Sequence, residues 1–95
     1  MIEIAKPKFA IGRLVATPGA LEALVDAEQT PIEFIARHVR GDWGEVCEDD
    51  KQANDEALQH GERLLSAYRT TKGVKFWIIT EADRSSTCVL LPEEY

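Results

Sequence analysis

The run Val74 to Glu81, VKFWIITE, constrains the fold more than any other part of the chain. It is dense in β-branched and aromatic residues and reads as a strand. Thr87 to Leu91, TCVLL, is a second such run, and Ala82-Asp83-Arg84-Ser85 between them reads as a hairpin loop. Alternation sends Val74, Phe76 and Ile78 to one side and Trp77 and Ile79 to the other. Both faces are therefore apolar, and both need cover. Helices are expected on one face. The other needs the segment Ile2 to Lys8, Trp43, or a second copy of the protein meeting Trp77, Ile79, Val89 and Leu91. Pro92 stops the second strand and leaves Glu93-Glu94-Tyr95 as a polar tail.

The upstream half supplies the helices. Phe9 to Ala16, FAIGRLVA, reads as a first strand, weakened at Gly12. Thr17-Pro18 then looks like a helix entrance, with Thr17 as cap and Pro18 at the first helical position. The helix would run to Ala27, with Leu21, Leu24 and Val25 on one side. Thr30-Pro31-Ile32-Glu33 repeats that start, for a helix from Pro31 to Val39. Ile32, Ile35 and Val39 share one of its faces, with Phe34 and His38 beside them.

Gly41-Asp42-Trp43-Gly44 reads as an ordered turn around a tryptophan too large to leave in water. A third and longest helix is expected from Asp50 to Tyr68, capped by Asp49 or Asp50, with Leu58, Gly61, Leu65 and Tyr68 along a stripe. Gly61 inside it implies a close neighbouring backbone. Asn54 on the same stripe needs a partner, expected at a backbone group near the Trp43 turn. The order β-α-α-α-β-β makes one α+β domain, a small and mostly antiparallel sheet of about three strands with three helices on one face.

Composition limits what such a domain does. Of the 95 residues, 17 are acidic and 11 basic, so the net charge of -6 opposes direct nucleic-acid binding. No apolar run nears the roughly 18 residues a membrane helix needs. No basic start followed by an apolar stretch marks a secretion signal, so the expected location is cytoplasmic. Cys47 and Cys88 show no zinc spacing, are expected as free thiols, and imply no cofactor. Seven acids between Asp42 and Glu56 against one base, Lys51, form either a solvated helix start or a surface for a basic protein partner.

Two places carry candidate chemistry. His38 and Asp42 lie four apart and could form a general-base pair, against the plainer reading of a cationic His at a helix C-terminus. The run Ile79 to Thr87 packs three charges, Glu81, Asp83 and Arg84, and four hydroxyls into nine positions. An Arg-carboxylate pair there would lock the turn, or join Asp42 in a polar binding site. No HExxH, GxSxG or Gly-rich phosphate loop occurs.

HVRGDWG at His38 to Gly44, the Asn54 to Tyr68 stretch, WIITEADR at Trp77 to Arg84, and Thr87 with LLPEEY at Leu90 to Tyr95 together resemble an uncharacterised family of small bacterial proteins carried on plasmids and phages. Relatives often pair threonines where this chain has Thr87-Cys88. The resemblance implies no established reaction. It suggests an accessory of a mobile element, acting for instance against a host defence.

The function expected is a protein-interaction module, with His38, Asp42, Trp43, Glu81, Asp83 and Arg84 as candidate binding residues. The rival is a small hydrolase or metal-dependent enzyme using His38, Asp42, Glu81 and Asp83. A ligand-binding module with Trp43 in its pocket is a third reading.

Overall fold

The hairpin forms where its residues place it. In the computed structural model, which describes residues 7–95, Lys75–Thr80 and Ser86–Leu90 are antiparallel neighbours, with Trp77 opposite Leu90 and Thr80 opposite Thr87. In chain order the elements are β1 (Arg13–Ala16), α1 (Pro18–Asp26), α2 (Pro31–Val39), α3 (Glu48–His60), β2 (Leu64–Arg69), β3 (Lys75–Thr80), β4 (Ser86–Leu90) and a 3-10 turn over Pro92–Glu94. The sheet order is β1-β4-β3-β2, with β1 parallel to β4 and the other two pairings antiparallel. The class is α+β as expected, but the sheet has four strands and is mixed. No helix among the described residues is long and apolar enough to cross a membrane.

The added strand comes out of the expected third helix. Helix α3 stops at His60 because Gly61 turns left-handed, at φ 66° and ψ 43°, as its C-cap. A Cβ at Gly61 would meet nothing, so no close backbone explains this glycine. Leu64, Ser66 and Tyr68 then alternate inward along β2. The helix begins at Glu48 after Cys47, which offers no side-chain cap, rather than at an aspartate cap. Thr17 caps α1 through its hydroxyl, whereas Thr30 makes no such bond at α2.

One core lies between the sheet and helices α1 and α2. Ala20, Leu24, Phe34 and Ile35 pack on Tyr68, Phe76, Ile78 and Val89. A second cluster joins Trp43 to Ala57 of α3 and Leu64 of β2, with Phe9 at its edge. Of the three residues expected on the buried side of α1, Leu24 is buried but Leu21 and Val25 are exposed, Val25 at 74%. The β2 edge is closed. Gly44 bridges Ala67, and a Cβ on Gly44 would strike the Ala67 carbonyl, so only glycine fits the turn there.

The other sheet face is smaller than the sequence suggested. Val89 and Leu91 belong to the helix side, because register sets Trp77 and Ile79 beside Leu90 and Cys88. Of the four residues expected to meet a second copy, Val89 is therefore inside the core and Leu91 packs against it. Trp43 sits on the helix side and covers none of the other face. Ile2 to Lys6 of the expected covering segment lies outside the described residues. Lys8 instead binds the end of α2, its N–H donating to the Val39 carbonyl at 2.7 Å. The C-terminal residues are no mere tail. Tyr95 stands edge-on to Trp77, and Glu94 accepts bonds from the Thr17 hydroxyl and the Gly19 N–H at the start of α1.

Candidate functional site

His38 is fully buried, and its placement follows from α2. With Phe34 and Ile35 turned to the core, the residue one turn on points into the sheet as well. Inward positions of β2, β3 and β4 meet it with hydroxyls. Ser66 Oγ lies 2.5 Å from Nδ1, and Thr80 Oγ1 lies 2.9 Å from Nε2. Thr80 then meets Thr87 at 2.8 Å, and Thr87 donates to the Ile11 carbonyl at 2.8 Å.

Each hydroxyl has one proton, and this fixes the direction of every bond from Nε2 to Ile11. Thr87 gives its proton to a carbonyl that can only accept. Thr80 must then donate to Thr87, so His38 Nε2 carries a hydrogen and donates to Thr80. Nδ1 is left bare and accepts from Ser66. Charge rather than proton count sets the Nδ1 side: a neutral ring accepts from Ser66, whereas an imidazolium would donate to it. Burial, aided by the positive charge of Arg84, pushes the His38 pKa down to about 4. The expected cationic helix-end His is therefore corrected: the side chain lies inside, where charge is expensive.

The other sequence candidates separate. Asp42 pairs with Arg37, not His38, at 2.8 Å from Nε. That bond holds the Asp42 carboxyl below its ordinary range. Its backbone carbonyl accepts from the Tyr68 hydroxyl at 2.5 Å. Trp43 is 3% exposed, its indole N–H donating to Asp55 at 3.1 Å. At the hairpin tip, Arg84 donates to the carbonyls of Glu62, Glu81, Ala82 and Ala57. Arg84 thus ties the tip to the end of α3 and pairs with neither carboxylate there. Asp83 accepts from the Ser85 N–H at 3.0 Å as a turn former, and Glu81 pairs with Arg63 at 3.4 Å. Asp42 and the tip residues therefore share no polar site. Among the described residues, no three His, Cys, Asp or Glu are grouped to hold a metal ion.

What the surface offers is an apolar groove. It has a volume of about 370 Å³ and runs between α2 and the segment from Pro7 to Ile11. Ile32, Ile35, Ala36 and Val39 supply one wall, and Pro7, Phe9, Ala10 and Ile11 the other. The apolar face of Ile32, Ile35 and Val39 is therefore only partly buried in the core. Ile32 stays 67% exposed at the groove lip. Phe9 joins groove and relay: its ring stands edge-on to His38 at 5.1 Å and stacks on Trp43 at 6.2 Å.

Sequence reasoning missed Ser66 because it lay in the expected helix. Thr80 and Thr87 carried a usable signal. Thr80 shares its parity with Phe76 and Ile78, and a polar side chain at an inward position needs a partner. No protein-family model, curated protein or solved structure matches the chain, so the plasmid- and phage-borne family gains no support from them.

Proposed function

We propose that the protein is a protein-interaction module that seats an apolar anchor of its partner in the groove along α2. The groove lining carries this reading. All eight lining side chains among the described residues are apolar, and these offer no polar side chain to orient a small polar ligand. An apolar side chain presented by another protein needs no such groups and gains from burial. Val39 lines the groove at the end of α2, with Lys8 bonded to its carbonyl and Arg40 next in the chain, and these two bases favour an anchor flanked by carboxylates. The acidic residues of α3 are exposed and remain available to a basic partner elsewhere on the surface. The hydrolase reading loses its basis in geometry, since His38 is sealed while Asp42, Glu81 and Asp83 make separate local contacts. A role in a mobile element, acting on a host defence, rests on the family resemblance alone.

Two groove variants test the proposal. Ile32→Glu puts a charge on the lip and Ala36→Arg obstructs the groove from its α2 wall, while Glu56→Lys on α3 serves as a control. Affinity capture from the source cells, with bound proteins identified by mass, should recover a protein held by the wild type and the control and lost from both groove variants. A set of bound proteins that is the same for all four chains would overturn the proposal.

A further inference from the structure

We infer that the buried His38 relay is an acid-released latch on the wall of this groove. The relay does not end in the core. Its last acceptor is the Ile11 carbonyl, and Phe9 stands edge-on to the His38 ring, so the relay meets the segment that forms one groove wall at two places. That segment has no regular secondary structure before β1. Its other ties among the described residues are the Lys8 N–H to the Val39 carbonyl, the Arg13 N–H to the Ser85 carbonyl, Arg84 above the Phe9 ring at 5.7 Å, the stack of Phe9 on Trp43, and the packing of Ile11 against the core.

Protonation of His38 gives Nδ1 a hydrogen, and Ser66 must turn its own proton away. The new charge then sits among groups that do not balance it. From the hairpin, Arg84 repels it. From β2, Tyr68 is a neutral phenol, pushed by burial up to about 12. Arg37 of α2 and Asp42 of the following turn neutralise each other. Asp55 of α3 is occupied with the Trp43 indole. From the groove wall, Lys8 adds only positive charge, its side chain running along Gly41. Among the described residues, no carboxylate bonds the ring. Water must reach the imidazolium, and the way in is past Phe9. Phe9 is only half-buried, whereas Trp43, Ser66, Thr80 and Thr87 around the ring are buried. The wall from Pro7 to Ile11 therefore lifts before the sheet comes apart. This rests on the groove being the binding site for its biological meaning, but not for its physical test.

The test needs no partner. On isotope-labelled wild-type protein, NMR follows the His38 ring shifts, the nuclear Overhauser effects from Phe9 to His38 and Trp43, and the amide signals of Ile78 and Val89 as the pH falls from 7 to 3.5. The Overhauser effects of Phe9 should vanish at the midpoint of the ring titration while Ile78 and Val89 keep their dispersed signals. His38→Gln offers one donor and one acceptor without titrating, and should hold the wall closed to lower pH. Thr87→Val removes the bond to Ile11 but leaves the ring, and should open the wall at higher pH, so the coupling is read even if His38→Gln does not fold. Overhauser effects that survive ring protonation, or that vanish only together with the strand signals, would overturn the latch, as would an unchanged midpoint in Thr87→Val. Failure of a partner to bind the groove would leave all these readouts untouched, so the two proposals fail separately.

Discussion

Both polar atoms of the Asn54 side chain are spent on the backbone of Leu65. Its amide nitrogen donates to the Leu65 carbonyl at 2.7 Å, and its oxygen accepts from the Leu65 N–H at 3.0 Å. Two residues on, the Ala67 N–H donates to the Trp43 carbonyl at 3.1 Å, and the Ala67 carbonyl accepts from the Glu45 N–H at 2.7 Å. The outward groups of β2 are thus met by one side chain and one turn. An edge strand that would otherwise recruit another chain is closed.

Asn54→Leu keeps the size of the side chain and removes both bonds. Two backbone groups of Leu65 then lack partners, and a loss of about 2–3 kcal/mol follows from the usual cost of such groups. Urea unfolding of the variant should show this loss. It should also show more aggregation than the wild type at equal concentration, because the edge is now open.

Trp43 is the larger anchor. It fills the space between Phe9, Ala57 and Leu64, so Trp43→Ala should cost about 3 kcal/mol or more. Trp43→Phe keeps most of the apolar packing and gives up the bond to Asp55, and should cost markedly less. A denaturant series on both variants separates packing from the hydrogen bond.

The sheet and helices were legible where one residue pattern had one meaning. The hairpin and α2 fall within a residue or two of their expected ends. The stretch after α3 was not legible, because Leu58, Gly61, Leu65 and Tyr68 fit a helical stripe by spacing alone. The left-handed turn at Gly61 breaks that stripe and puts Leu65 and Tyr68 on opposite faces of a strand. Burial of Trp43 and the hydrogen bonding of Asp42 could be read from GDWG, since an indole flanked by glycines must be packed to be worth its space. The His38 relay could not, because its three hydroxyls come from strands whose register only the tertiary fold sets. The groove was hidden for a related reason. Ile32, Ile35 and Val39 form an apolar stripe, and a sequence cannot say whether another element covers all of it.

Stability should fall with acid in a window that His38 defines. The unfolded chain takes up a proton there near 6.5, while the folded chain resists until about 4, so acid favours unfolding. The contribution is complete above about pH 6.5 and is lost as the pH falls toward 4. At about 1.4 kcal/mol per pH unit it amounts to about 3 kcal/mol. As the pH falls past 4.5 and then 3.8, the carboxyls of Glu94 and Asp42, both held under those ordinary values by hydrogen bonds, add a further loss. Urea melts at a series of pH values should show the slope between 6.5 and 4, and His38→Gln should flatten it.

Arg84 separates a structural from a binding role at the hairpin tip. Its guanidinium reaches the carbonyls of Ala57 and Glu62 at the end of α3, and those of Glu81 and Ala82 within the tip. These are charge-assisted bonds, and the Ala57 carbonyl accepts one of them in addition to the N–H groups of Gly61 and Glu62 that end the helix. The residue also adopts φ 60°, a backbone state that favours glycine. Arg84→Ala loses the bonds and keeps the strain, and should cost about 2 kcal/mol, the order seen for hydrogen bonds to charged groups at partly exposed sites. Arg84→Gly loses the same bonds but relieves the backbone, and should be the more stable of the two by about 0.5–1 kcal/mol. Binding through the groove should weaken without being lost in folded forms of both variants, since Arg84 does not line it but lies above Phe9 of its wall. Equal stability of wild type and both variants, together with loss of binding, would instead assign Arg84 to the partner surface.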